Sequence, residues 1–478
     1  MDQFTVTFLP EGISVPVTGE TTLLQAQIAA GLRPDAPCGG KGTCGKCSVI
    51  INGETHLACR TKVHQNMTVR TKGESGVKAL TEGCAAASIP DGADKYVMAF
   101  DVGTTTVVAY LLDGYSGKLL ARESCVNPQV QFGADVISRI QYALRGGREA
   151  MSRCIRTAME ELVKQTAEKA GIAPEAIGSA SIAGNTAMHH LLLNIDPKPL
   201  VTPPYMPAVS EALELTADCH VRVLPNIAGF VGGDTVGCMI AAGFDTLEEL
   251  TLLIDIGTNG EMVLGNKNRR IACSTAAGPA FEGANISCGM RGAEGAVDHV
   301  MLEEGNVTYH VIGDSAPKGL CGSGLLDLAA VLLDLKKISP SGRMAEKRYV
   351  LCDNVVLTQK DVREVQLAKA AIRSGIELLA ERMGVQLTDI RRVYLAGAFG
   401  NYMNPVSACR IGMIPSVLMD RIHPIGNAAG EGAKLCALRN ETFLLSRQLA
   451  KETEFLDLAR LPQFQSCYVK ALNFPEEE

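Results

Sequence analysis

No stretch of this 478-residue chain approaches 18 consecutive apolar residues, so no membrane-spanning helix is expected. There is no basic excess either. Lys and Arg number 45 against 52 Asp and Glu, a net charge of −7, and no positive field invites nucleic acid. The first residues, MDQFTVTF, have neither the charged region nor the apolar stretch of a secretory leader, so a cytoplasmic location is expected. Paired cysteine spacing is missing from most of the chain. Twelve of the 16 cysteines, among them Cys125, Cys154, Cys238 and Cys436, are scattered, and they read as buried thiols in a reducing compartment rather than as disulfides. What is present is 46% hydrophobic residues, enough for large cores, in a length that suits about two to four domains.

The remaining four cysteines are concentrated. Cys38, Cys44, Cys47 and Cys59 are spaced C-x5-C-x2-C-x11-C within PCGGKGTCGKCSVIINGETHLAC. Three thiolates on one glycine-rich loop and a fourth nearby suit an iron–sulfur cluster, because glycines let the backbone turn around it and aim N–H groups at its sulfurs. The rival reading is a structural zinc site, which more often pairs two short cysteine knuckles. The flanks predict a hairpin (5–10 and 13–17), a helix (21–31) and strands at 48–53 and 67–71. Residues 1–73 thus resemble a β-grasp ferredoxin of the [2Fe–2S] type, close to the plant spacing but not identical with it. Residues 74–95, rich in Gly, Ala and Ser, read as a flexible tether.

The next segment, YVMAFDVGTTTVVAYLLD (96–113), reads as strand, turn, strand. Its turn offers the N–H and hydroxyl donors of Gly103, Thr104 and Thr105 to a phosphate, with Asp101 placed for a magnesium ion. The pattern recurs in LTLLIDIGTNGEMVLG (250–265), with Asp255, Gly257, Thr258 and Asn259. Two such hairpins imply two similar halves. They resemble the actin, sugar-kinase and heat-shock-chaperone superfamily, whose duplicated RNase H-like lobes hold ATP between them. The resemblance implies lobes at 96–246 and 247–478 and a multidomain α/β protein. It also assigns the first connecting segment to SASIAGNTAMHHLLL with Asn185, the adenosine-binding turn to Gly397, Ala398 and Phe399, and the second connecting helix to IGNAAGEGAKLCAL (425–438).

Other residues keep two readings. Asp234, in FVGGDTVGCMIAAG, holds the place of the hexokinases' catalytic carboxylate and would orient or deprotonate an attacking water, or it caps the following helix. Gly322 and Ser323 precede an apolar helix, suiting a phosphate or ribose, or close helix packing. Glu282, on an expected helix, approaches the ribose or decorates a surface. His189 and His190 read as core residues. The loop 286–292 is a candidate docking surface.

A one-electron carrier joined to an ATPase suits the reduction of an acceptor below the roughly −400 mV of plant-type clusters, where each ~59 mV is a factor of ten. The combined motifs, including FDVGTTTVVAYL, IAGNTAMHHLLL, LIDIGTNGEMVLG, TAAGPAFEGA, GLCGSGLLD and LAGAFG, resemble the reductive activators of corrinoid proteins. That resemblance implies a [2Fe–2S] cluster, ATP, Mg2+, a corrinoid protein as docking partner and electron acceptor, an unidentified upstream reductant, and a homodimer. It implies the return of cob(II)alamin to cob(I)alamin. Because only the 22 residues 74–95 separate cluster from ATPase, the chain reads as a short form lacking the family's middle domain. The alternatives are a low-potential electron donor to another metalloenzyme, or a small-molecule kinase with a regulatory cluster.

Overall fold

The computed structural model describes residues 3–10, 12–32, 34, 36, 40, 42, 47–71, 90–133, 135–216, 218–352 and 355–476. It divides into two compact units, residues 1–77 with 128–147 and residues 78–127 with 148–478.

In the first unit, β1 (Gln3–Leu9) and β2 (Ile13–Thr18) form a hairpin, followed by α1 (Leu23–Ala29), β3 (Ser48–Ile51), β4 (Glu54–Leu57) and β5 (Met67–Arg70). The sheet order is β2-β1-β5-β3-β4, with β1 and β5 parallel, as a β-grasp requires. Thr22 starts α1 through a reciprocal capping box with Gln25. The helix then buries Leu23, Leu24 and Ala26 against Val6, Phe8, Val49 and Val69. The polar strand β4 has no apolar alternation and is absent from the expected elements. The unit's second segment carries α2 (Val136–Tyr142), capped by Asp135, with Phe132 stacked on Tyr142 at 4.6 Å. Residues 72–89 of the expected tether lie outside the described residues. Its far end is fastened: Asp91 N–H donates to Leu438 O at 3.0 Å and its carboxylate accepts from Asn440 N–H at 2.6 Å.

The second unit opens with the meander β6 (Tyr96–Val102), β7 (Thr106–Asp113) and β8 (Leu119–Val126), then α3 (Arg148–Ala170), β9 (Ile177–Gly184), α4 (Thr186–Leu192), β10 (Leu213–Thr216), β11 (His220–Val223) and α5 (Gly233–Ala241). A second meander follows: β12 (Thr251–Ile256), β13 (Gly260–Gly265) and β14 (Arg270–Thr275). A small sheet of β15 (Ala296–Glu303), β16 (Asn306–Val311) and β17 (Gly319–Leu320) precedes α6 (Gly322–Asp334), and β18 (Arg348–Cys352) pairs with β19 (Val355–Thr358) before the long α7 (Gln359–Met383). The chain ends with β20 (Arg392–Ala396), α8 (Gly397–Tyr402), α9 (Pro405–Arg410), β21 (Ile422–Gly426), α10 (Ala428–Leu438), α11 (Asn440–Glu452), β22 (Thr453–Phe455) and α12 (Phe464–Ala471).

The two large sheets repeat one another. One runs β10-β11-β9-β6-β7-β8 and the other β21-β20-β12-β13-β14-β22. Each meander is flanked on its first strand by a parallel strand, β9 on β6 and β20 on β12. The apolar runs of β6 and β12 are buried on both faces, as central strands require. This is the duplicated RNase H-like arrangement of an actin-like ATPase.

Helices α5 and α10 pack on each other between the sheets. Their shared core takes Val97, Val108 and Leu112 from the first half and Leu253, Val263 and Ala272 from the second. Close crossing depends on glycine. A Cβ at Gly432 would collide with the Gly237 carbonyl oxygen, and one at Gly237 would stand 2.9 Å from Ala429 O.

Candidate functional site

The cluster loop is described at its C-terminal side. Cys47 sits immediately before β3, and its carbonyl accepts from Ala58 N–H at 2.8 Å. Cys59 follows β4. Both belong to the first unit's core, at 4% and 8% exposure. Gly40 has a left-handed backbone (φ +83°), and a Cβ there would stand 3.3 Å from Leu24 and 3.9 Å from Cys59 Cβ. Two cysteines shielded from water, beside a backbone that needs glycine, suit an iron–sulfur cluster. Cys38 and Cys44 lie outside the described residues.

The first hairpin turn is held from both sides. Gly103 N–H donates to Thr106 O at 2.9 Å, closing the turn. Asn185 Nδ2 donates to Thr104 Oγ1 at 2.9 Å, while its Oδ1 accepts from Met188 N–H and caps α4. Fully buried Asn127 donates from Nδ2 to Gly103 O and from its backbone N–H to Thr105 O, both at 2.8 Å. Thr104 and Thr105 are half-buried, so the turn is rigid and still reachable. His189 and His190 are core residues of α4: His190 Nδ1 lies 2.7 Å from Thr186 O, its Nε2 accepts from Ala208 N–H, and burial pushes the His189 imidazole down to about 4.

In the second half, Gly257 N–H donates to Asn259 O at 2.9 Å, and Thr258 Oγ1 donates to Glu282 Oε2 at 3.1 Å. Glu282 is therefore tied to the hairpin. Its expected helix is only a 3-10 turn, Pro279–Glu282, because Gly278 (φ +76°) and Gly283 (φ +75°) break the backbone on either side. Phe281 stacks on Phe399, centroids 4.5 Å apart and planes at 10°. Gly322, at the start of α6, lies beneath this pair: a Cβ there would collide with Phe281 O and stand 2.8 Å from the Phe399 ring. Ser323 is buried, its Oγ 3.4 Å from Cys321 Sγ. Ala398 is exposed beside them. Gly397 (φ +82°) brings the α8 backbone onto Asp255, with a Cβ position 2.6 Å from its Oδ1. The loop 286–292 is laced down. Ser287 N–H and Oγ reach Asp361 Oδ1 at 2.8 and 3.1 Å, and Cys288 and Met290 bond to Leu320.

Four half-buried carboxylates face one another where the hairpins meet the crossing helices: Asp101, Asp234, Asp255 and Glu261. Asp101 Oδ2 accepts from Asn427 Nδ2 at 2.8 Å. Asp234 stands in the first turn of α5, whose cap is Gly232, and its Oδ1 accepts the Thr235 N–H at 2.7 Å. Asp255 Oδ2 accepts from the Cys238 thiol at 3.7 Å. Burial pushes Asp101 up to about 6, opposed by the Asn427 hydrogen bond and aided by the Asp234 charge. Burial likewise lifts Asp234 to about 6, and burial with the charges of Asp234 and Asp101 lifts Asp255 to about 7. Burial, then Asp234 and Asp255, hold Glu261 well above the usual carboxylate range. Among the described residues, no Lys or Arg forms an ion pair with any of the four.

Three members of this site escaped the sequence. Glu261 lies directly opposite Asp255 in the β12–β13 register, whereas the equivalent pairing in the first half is Asp101 with Val108. Counting the hairpin register outward from its turn finds it. Asn427 and Asn127 carry no such signal, since each acts through contacts with distant strands.

Among the described residues, no three His, Cys, Asp or Glu side chains converge closely enough to cage a metal ion. Magnesium commonly keeps several waters and binds through one or two carboxylates plus phosphate oxygens. Carboxylates that no Lys or Arg among the described residues pairs with, at the base of two hairpin turns, fit that mode.

Comparison with known proteins reaches the same regions. Residues 6–64 match the 2Fe-2S iron-sulfur cluster binding domain, 96–247 the RACo middle region, and 249–478 the C-terminal domain of RACo, the ASKHA domain. The corrinoid activation enzyme RamQ of Eubacterium limosum is 37% identical over 414 residues, 78% of this chain and 69% of that protein. The [Co(II) methylated amine-specific corrinoid protein] reductase of Methanosarcina barkeri is 29% identical over 263 residues, covering 50% and 46%. A solved structure of a reductive activator for corrinoid, iron-sulfur protein is 28% identical, covers 99% of both chains and superposes with a TM-score of 0.73. One expectation is overturned. The middle region is present, at 96–247, so the chain is not a short form lacking it. That region is the first six-stranded half of the ATPase and not an insert between cluster and ATPase, so a short tether says nothing about its loss.

Proposed function

Because the chain belongs to the RACo family of corrinoid activators, we propose that it is an ATP-dependent reductive activator, delivering single electrons to a corrinoid protein and returning cob(II)alamin to cob(I)alamin. The reaction adds one electron to the cobalt of the partner. A [2Fe–2S] cluster bound by Cys38, Cys44, Cys47 and Cys59 supplies one electron at a time at low potential. The protein around it keeps water from the sulfurs, as the burial of Cys47 and Cys59 supports.

ATP supplies the energy. The turn amides and hydroxyls at Gly103–Thr105 and Gly257–Asn259 hold the phosphates. Phe399 on Phe281, with the backbone of Gly397, Ala398 and Gly322, forms one wall for the nucleoside, and Glu282 and Ser323 stand nearby. Asp101 and Asp255 attract Mg2+, whose charge relieves their mutual repulsion. Asp234 orients the water that attacks the terminal phosphate.

The observation that carries this reading is the union in one chain of buried cysteines, Cys47 and Cys59, and a two-hairpin carboxylate site. The active form is a homodimer, and the location is the cytoplasm, where single buried thiols such as Cys238, Cys273 and Cys436 stay reduced. Among the described residues, no helix is long and apolar enough to cross a membrane.

The test mixes purified protein, reductant and a corrinoid protein in the cob(II) state, with and without MgATP, and follows the cob(I) absorbance. The expected result is cob(I) formation that needs both reductant and MgATP. Equal formation without ATP refutes the coupling.

A further inference from the structure

Asn427 occupies a junction between the halves of the ATPase. The chain leaves the second large sheet through β21, which pairs in parallel with β20. It turns at Gly426, and the next residue, Asn427, caps α10 through a bond from Gly430 N–H to Oδ1 at 2.8 Å. From there α10 packs on β6 and β9 of the first sheet and on α5. One residue therefore separates a strand of one half from a helix seated on the other.

The same side chain reaches the phosphate site. Asn427 Nδ2 donates to Asp101 Oδ2 at 2.8 Å and to the Tyr110 hydroxyl at 3.2 Å. Asp101 is the next-to-last residue of the strand that leads into the first phosphate turn. The carboxylate is the stronger acceptor, because a bond to a charged group outweighs one to a neutral hydroxyl. A cation that takes Asp101 competes for that carboxylate and leaves Asn427 with Tyr110. Tyr110 is fully buried, and a Cβ at Gly430 would stand 2.6 Å from its hydroxyl oxygen, so a change at Asn427 is felt in the first turn of α10.

We propose that Asn427 is a positioning residue that couples occupancy of the phosphate site to the crossing helix α10, binding Asp101 when the site is empty and releasing it when a nucleotide-borne divalent cation engages that carboxylate. This rests on the nucleotide half of the function proposed above. It names the side chain through which phosphate and cation are sensed by a helix shared between both sheets.

Hydrogen exchange of the full-length protein tests it, reading peptides across 428–438 with no nucleotide, with a nonhydrolysable ATP analogue in chelator, and with the same analogue and Mg2+. In the native protein only the Mg2+-bearing analogue should change exchange in α10, by about fivefold or more. Asn427→Ser keeps a good helix cap but cannot reach Asp101. It should bind the analogue by calorimetry and melt close to the native temperature, yet lose the α10 response. Asn427→Ala, which lacks the cap, reports the structural contribution as lowered stability. An α10 response that is equal with and without Mg2+, or intact in Asn427→Ser, overturns the proposal while leaving the function above untouched. Analogue binding with no response in the native protein does the same. Failure of the native protein to bind the analogue at all removes the nucleotide reading and this coupling with it.

Discussion

Replacing Asp255 by asparagine should make the empty protein more stable and the nucleotide-loaded protein less so. A carboxyl that ordinarily titrates at 3.8 is held at about 7 in the fold, and Asp101 and Asp234 at about 6. Folding therefore takes up protons between about pH 4 and 7, and the stability present at lower pH is lost progressively as pH rises through that window. A shift of about three units corresponds to ~4 kcal/mol; burial of Asp255 itself is its largest cause and the rest is repulsion shared with Asp234 and Asp101, so at least ~2 kcal/mol belongs to Asp255 alone. Asparagine has the same shape and still accepts from Cys238. In chelator at pH 8, Asp255→Asn should melt about 4 °C or more above the native protein, and at pH 4 within about 1 °C of it. With Mg2+ and nucleotide the order should reverse, because the native protein gains stability from binding and the variant gains little. Calorimetric scans at both pH values decide. A variant that melts at or below the native temperature at pH 8 in chelator refutes the claim that burial and its acidic neighbours make the Asp255 charge costly in the empty site.

Cys59→Ser should lower bound iron from about two per chain towards zero and abolish cob(I) formation, with nucleotide affinity unchanged within about twofold, as iron analysis and calorimetry would report. Gly432→Ala, by pressing the crossing helices apart at Gly237, should cost ~1–3 kcal/mol and reduce ATP hydrolysis at least about tenfold, measured by thermal melting and phosphate release. Phe399→Ala removes the stack on Phe281 and should raise the Kd for adenine nucleotides about 5- to 10-fold, the equivalent of ~1 kcal/mol.

The fold was legible where local chemistry is dense. The two Asp-x-Gly-Thr turns show themselves because an apolar strand, a turn and a second strand are adjacent in sequence, and β6–β7 and β12–β13 lie where those motifs put them. The cluster loop announces itself by cysteine spacing. What stayed hidden depends on distant contacts. Asn427 meets Asp101 across 326 residues, and Asn127 reads as one polar residue after a strand until its bonds to Gly103 and Thr105 are seen. Glu282 was placed on a helix because its neighbours are small and helix-compatible, while the flanking glycines limit it to one turn. The middle region was missed for a different reason. The sequence already marks 96–246 as the first of two similar lobes, but the short tether suggests a missing insert, whereas this lobe is itself the middle region.

The two family matches on the ATPase part between residues 247 and 249, yet the core around α5 and α10 draws side chains from either side of that boundary. A gene cut at this point would encode two polypeptides, each exposing a raw apolar face with its counterpart on the other. Neither would be expected to accumulate in soluble form alone, and co-expression would have to rebuild the crossing before proteolysis intervened. With both halves buried against a common pair of helices, they can be neither encoded nor folded apart.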